Sequence, residues 1–148
     1  MEDTQKVVVY TDGGSRGNPG EAALGVVIKS SRGDVIKRYG ERLGVKTNNE
    51  AEYAAVAFGL KKLKQLYGKE KTRTMHIEMR MDSELVCKQL SAEYKIENEN
   101  LFPLFISIWN LRQDFDTVTF THVSREKNQE ADRMVNEALD GPDQGSLL

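Results

Sequence analysis

Four carboxylates stand where a purely structural acid would be unusual. Asp12 closes the run Val7-Val8-Val9-Tyr10-Thr11, and Asp82 follows the alternating run Met75–Met81. The first run, β-branched and aromatic, reads as a strand buried on both faces and so central in a sheet. The second puts Met75, Ile77, Met79 and Met81 on one face and His76, Glu78 and Arg80 on the other, again a strand. Glu52 falls near the start of a helix predicted from Thr47 to Tyr67, in line with positions 55/56, 59, 63 and 66 of its apolar stripe. Asp132 repeats this on a helix over 127–139, with Val135 and Leu139 on its own side. A helix-face acid beside apolar neighbours is expensive unless paired or metal-bound. Singly, three of them have a plain explanation: a hairpin cap for Asp12, a helix-start acid for Glu52, a turn residue before Ser83 for Asp82. Together they make a stronger case. Converging carboxylates repel and must protonate or part unless a cation lies among them. Hard oxygen donors with no Cys/His cluster beside them suit Mg²⁺, or Mn²⁺ as substitute, and not zinc. Two such ions about 3.5–4 Å apart activate water and stabilise the leaving oxygen of a phosphodiester.

The remaining elements must carry these four groups together. Strands are expected at 23–30 and 34–43 around Ser31-Arg32-Gly33, forming an antiparallel meander with the first. Thr47-Asn48-Asn49-Glu50 matches a capping box, and Gly68 ends the helix it opens. A charged loop is expected at 69–74, a helix from Ser83 to Leu90, a polar connection at 91–100, a helix over 101–115 with Pro103 in its first turn, and a strand at 117–123. The order β-β-β-α-β-α-α-β-α implies an α/β fold: a five-stranded mixed sheet, three strands antiparallel and then parallel ones, flanked by helices. The glycines between Gly13 and Gly20 permit close backbone approach, but no Gly-Lys-Ser/Thr follows, which excludes a phosphate-binding loop.

Composition narrows the partners. The 148 residues, 39% hydrophobic and 30% charged, are expected to form one domain over 1–140 with a flexible tail at 141–148. No run approaches the roughly 20 apolar residues of a membrane span, so no membrane partner is expected. A single cysteine, Cys87, excludes an internal disulfide framework and fits a cytoplasmic setting. A net charge of −2 leaves no global basic footprint, so a nucleic-acid partner would be held by local patches or metal ions.

The motifs Tyr10-Thr11-Asp12-Gly13-Gly14-Ser15 with Gly17-Asn18-Pro19-Gly20, Thr47-Asn48-Asn49-x-x-Glu52, Asp82-Ser83 and Asn128-x-x-x-Asp132 resemble those of type 1 ribonuclease H, in the family order over about 7–139. The resemblance implies the ribonuclease H-like fold and endonucleolytic cutting of the RNA strand of RNA–DNA hybrids by two metal ions, giving 5′-phosphate and 3′-hydroxyl ends. It implies that Asp12, Glu52, Asp82 and Asp132 are catalytic and hold the ions. It further implies substrate contacts from Gly13, Gly14, Asn18, Asn48, Asn49, Ser83 and Asn128, the asparagines reaching the minor groove where 2′-hydroxyls lie. Two departures matter. His122 has the ten-residue separation from Asp132 of an auxiliary family histidine but stands in a strand with no glycine after it, so Arg125 is favoured slightly over His122 for that role, as in short archaeal-type members. The connection at 91–100 is short and acidic where some relatives carry a basic, tryptophan-containing protrusion, and Trp109, among Phe105, Ile106 and Ile108, reads as core. Weak, salt-sensitive substrate binding follows, helped by a modest patch of Lys61, Lys62 and Lys64 unless these are simply a solvated helix face. The resemblance leaves double-stranded RNA open as a further substrate, and nothing in the sequence requires more than a monomer. The competing readings are a noncatalytic module of the same fold that binds hybrid or double-stranded RNA, and a transposase or integrase core; neither accounts as well for all four acids in this spacing.

Overall fold

The central strand, β1 (Lys6–Gly17), organises a five-stranded sheet of order β3-β2-β1-β4-β5 in the computed structural model, which describes residues 5–141; the expected tail, beyond Gly141, lies outside them. β2 (Gly20–Ser30) and β3 (Val35–Lys46) continue from β1 as an antiparallel meander. β4 (His76–Met81) and β5 (Thr117–His122) run parallel to β1 on its other side. This is the mixed sheet expected. One boundary differs in a way that matters: β1 does not end at Asp12 but runs on to Gly17, paired residue for residue with β2 until Gly17 meets Gly20. Its pairing with β4 stops at Tyr10–Arg80. Asp12 therefore lies where β1 keeps its antiparallel neighbour and has lost its parallel one, at a notch in the sheet.

Helix α1 (Asn48–Tyr67) covers one face. Its capping box is complete: Thr47 Oγ1 accepts from the Glu50 amide at 3.1 Å, and Glu50 Oε1 accepts from the Thr47 amide at 2.8 Å. Tyr53, Val56, Leu60 and Leu63 are buried against Val7 and Val9 of β1 and the methionines of β4. Each such side chain contributes about 1.5–3 kcal/mol by leaving water. Beyond Leu63 the stripe passes to Tyr67, which is half-buried against the core, whereas Leu66, expected in line, is exposed. The segment read as a charged loop contains a single turn, α2 (Lys69–Thr72), because Thr72 turns inward and its hydroxyl donates to the Lys69 carbonyl.

Three more helices complete the fold. α3 (Glu84–Leu90) is opened by Ser83, whose Oγ accepts from the Val86 amide at 3.2 Å, and it buries Cys87. α4 (Phe102–Arg112) packs on α1 through Ile108, with Leu101 buried just before it. Trp109 is not core, as expected, but 50% exposed. One residue past Ile108 is a rotation of about 100°, which turns the indole outward, beneath the Arg112 guanidinium. Lys64 and Lys62 of the expected basic patch are engaged, Lys64 with Asp114 at 2.6 Å and Lys62 over the rings of Tyr39 and Phe58. α5 (Gln129–Asp140) follows a 3₁₀ turn at Arg125–Asn128 and lies on β2 and β3, burying Ala131 and Val135.

Candidate active site

Two glycines set how closely the helices approach Asp12. A Cβ built on Gly13 would lie 2.2 Å from the Ala51 carbonyl carbon and 2.5 Å from the Glu52 amide nitrogen. No side chain fits there, so the backbone of α1 rests directly on β1 and delivers Glu52 beside Asp12. Gly25 faces Asp12 in the β1–β2 register, and a Cβ there would come within 2.2 Å of the Ala131 oxygen. That close approach seats α5 and places the next residue, Asp132. Asp82 arrives by a third route, as the first residue after β4.

One oxygen from each of Asp12, Glu52 and Asp82 lies within 4.8 Å of the others. Asp132 stands on the rim of the same cavity, of about 540 Å³, which Arg16, Asn48, Ser83 and Arg125 also line. Its side chain is hydrogen-bonded to Asp12, and Asn136 Nδ2 donates to its Oδ2 at 3.4 Å. The expectation that Asp132 sits beside apolar neighbours is half right: Val135 and Leu139 line the cavity with it, yet Asp132 itself is exposed because Ala131 and Val135 take the buried face of α5.

The cluster is charged against its own preference. Burial, and then the nearby Asp82, Glu52 and Asp132, push the Asp12 carboxyl up to about 8. Burial, with Asp82 adding to it, raises Glu52 to about 7, although a hydrogen bond from Ser83 and the charge of Arg125 pull the other way. Such a set holds its protons unless a cation replaces them. Three convergent oxygen donors and no sulfur or imidazole fit a hard divalent ion such as Mg²⁺ or Mn²⁺.

The remaining expected site residues divide. Asn18 and Asn48 come together at the edge of the cavity: Asn18 Oδ1 accepts from the Asn48 amide, and Asn48 Oδ1 from the Ser15 amide, both at 2.9 Å. Gly14 lines the cavity and Gly13 is buried in its floor under α1. Ser83 bonds Glu52. Asn49 faces away, into a separate groove with Leu85 and Tyr94. Of the two auxiliary candidates, Arg125 lines the cavity, whereas His122 is at the exposed end of β5 and is not among the cavity's lining residues. Asn128, expected at the substrate, is instead buried, 1% exposed, because its amide is turned inward onto β1 and Asp82. Sequence reasoning missed Arg16 and Asn136. The four-residue step from Asp132 to Asn136 on one helix was the available signal for the second.

A mixed sheet with a carboxylate cluster at the notch beside its central strand defines a class, and residues 10–138 match the family model described as reverse transcriptase-like. Within that class, the chain is 39% identical over 135 residues to ribonuclease HI of Halobacterium salinarum, covering 91% of this chain and 65% of that protein. The crystal structure of RNase H1 from that archaeon superposes with a TM-score of 0.84 at 38% identity, over 91% of this chain and 98% of that one. LC11-RNase H1, isolated from compost, gives 0.86 at 38% identity over 96% and 99% in its complex with an RNA/DNA hybrid. The bifunctional protein of Mycobacterium tuberculosis is 34% identical over 142 residues, 95% of this chain but 37% of its own length. The chain belongs to the type 1 ribonuclease H family. It spans about two thirds of the archaeal relative's length and little more than a third of the mycobacterial one's.

Proposed function

We propose that this protein is an endoribonuclease that hydrolyses the RNA strand of RNA–DNA hybrids, leaving 5′-phosphate and 3′-hydroxyl ends. The observation that carries the reading is the convergence of Asp12, Glu52 and Asp82 oxygens within 4.8 Å, with Asp132 at the rim of the same open cavity. The hybrid bound by the similar LC11-RNase H1 supports the substrate class. Asp12, Glu52, Asp82 and Asp132 would hold two Mg²⁺ ions, or Mn²⁺ in their place, which when bound supply activation of water and stabilisation of the leaving oxygen.

The protein's own groups do the rest. The Ser83 hydrogen bond to Glu52 favours its ionised form and so opposes the upward push of burial. Arg125 adds positive charge beside Glu52, where a phosphate would gather negative charge, and takes the auxiliary role in preference to His122. Asn18 and Asn48, locked to each other at the cavity edge, present amide groups where a 2′-hydroxyl would pass. We place this activity in a cytoplasmic monomer, in keeping with the lone buried cysteine. Among the described residues no helix is long and apolar enough to cross a membrane.

Labelled RNA–DNA hybrid, double-stranded RNA and DNA duplex, each incubated with Mg²⁺, Mn²⁺ or EDTA, test the reading. Metal-dependent cutting of the hybrid's RNA strand is expected, and EDTA should stop it. Binding without cutting under every metal would replace the enzyme with a noncatalytic hybrid-binding module.

A further inference from the structure

Asn128 sits at the junction of the 3₁₀ turn and α5, buried, with one nitrogen serving two elements. Its Nδ2 donates to the Thr11 carbonyl at 2.9 Å and to Asp82 Oδ2 at 3.3 Å. Thr11 immediately precedes Asp12 on β1, Asp82 is the first residue after β4, and Asp132 lies about one helical turn beyond Asn128. The side chain makes no capping bond to α5, although asparagine is among the best residues for that task. Its Oδ1 is buried with no hydrogen-bond partner among the described residues. Turning the amide over would bring Oδ1 against a carbonyl and a carboxylate, three acceptors together, so the donor must face them.

We propose that Asn128 is a positioning residue that registers three of the four carboxylates, and that it does not touch the nucleic acid. The assignment rests on the reading of those carboxylates as cation ligands. It resembles the outer-shell partners that orient metal ligands elsewhere, whose loss costs about 10–100-fold in metal affinity or activity.

The test uses two variants of the full chain. Asn128→Asp keeps the shape but replaces the donor with an acceptor that repels Asp82. Asn128→Ser keeps a helix-starting residue with a hydroxyl too short to reach both acceptors, and guards against an aspartate variant that does not fold. Calorimetric titration with Mn²⁺ alone, without nucleic acid, should show affinity weakened about 10–100-fold in both. Hybrid cleavage at limiting Mg²⁺ should lose kcat by a similar factor, while KM for the hybrid stays within about twofold of wild type, because both hydrogen bonds that the substitution removes run to protein groups. A raised KM with Mn²⁺ affinity and kcat unchanged would make Asn128 a substrate-binding residue after all. A lower urea midpoint with Mn²⁺ affinity unchanged would reduce it to a structural residue. A wild-type protein that binds Mn²⁺ yet leaves the hybrid intact would sink the proposed activity and leave this assignment standing.

Discussion

Removing the charge of Asp12 should stabilise the metal-free protein, and increasingly so as pH rises. In the folded state the Asp12 carboxyl is held at about 8, against an ordinary 3.8, by burial and by Asp82, Glu52 and Asp132. A carboxyl with a raised folded pKa binds more protons folded than unfolded, so its contribution to stability falls as pH climbs from the ordinary value to the raised one. Asparagine in its place does not titrate. Between about pH 5.5 and about pH 8 the folded carboxyl stays protonated while the unfolded one is ionised, an interval of roughly 2.5 units at about 1.4 kcal/mol each. The stability difference between Asp12→Asn and wild type should therefore widen by roughly 3 kcal/mol over that range. Glu78 and Glu130, whose carboxyls are held low by Lys and Arg partners, lose their contribution only at more acidic pH and cancel between the two proteins. The assay is urea unfolding of both proteins in EDTA at several pH values, repeated with Mg²⁺. Excess Mg²⁺ should restore the wild type selectively, since it binds the ionised carboxylates of the folded state. Hybrid cleavage by Asp12→Asn should be absent throughout. A difference that stays flat between pH 5.5 and pH 8, or that narrows, would refute the account of a cluster strained by its own charge.

Gly25→Ala should force α5 off the sheet, because its Cβ would fall 2.2 Å from the Ala131 oxygen and 3.1 Å from Val135 Cγ2; urea unfolding should show a loss of about 1–3 kcal/mol, with hybrid cleavage falling more than the folded fraction does. Arg125→Ala should lower kcat by about tenfold or more, while His122→Ala leaves it within about twofold; equal losses, or the reverse order, would return the auxiliary role to His122. Tyr53→Phe removes the buried hydrogen bond from Tyr53 Oη to Gln89 Oε1 at 2.7 Å and strands that acceptor, so the unfolding free energy should drop by about 1–3 kcal/mol with kcat unchanged.

Much of this arrangement is legible in the sequence because it is written locally. Alternation in Met75–Met81 marks β4, and Thr47 with Glu50 announces the start of α1. The four acids stand out in the sequence because two follow apolar strand runs and two open helices, although Asp12 proves to lie within β1 and not at its end. What escaped the sequence depends on distant partners. The glycines after Asp12 carry no strand signal of their own, and only pairing with β2 extends β1 to Gly17. The segment from Phe102 to Leu111 is apolar almost all round, so no period says that Ile108 faces α1 and Trp109 the solvent. Asn128 looks like any polar helix-start residue until Thr11, 117 positions away, is seen to take its amide hydrogen.

The seat at Gly13 has a mechanical consequence. Where α1 meets β1 the touching atoms are main chain on both sides, and main chain inside a strand and a helix has no rotamers to exchange. Asp12 and Glu52 are thus hinged only at their own side-chain torsions, on supports that cannot slide without breaking a β ladder or a helical turn. A cation entering between them would find the frame already stiff and would have little motion left to freeze. Hydrogen exchange at residues 12–14 and 51–53 should accordingly be as slow before the ion binds as after.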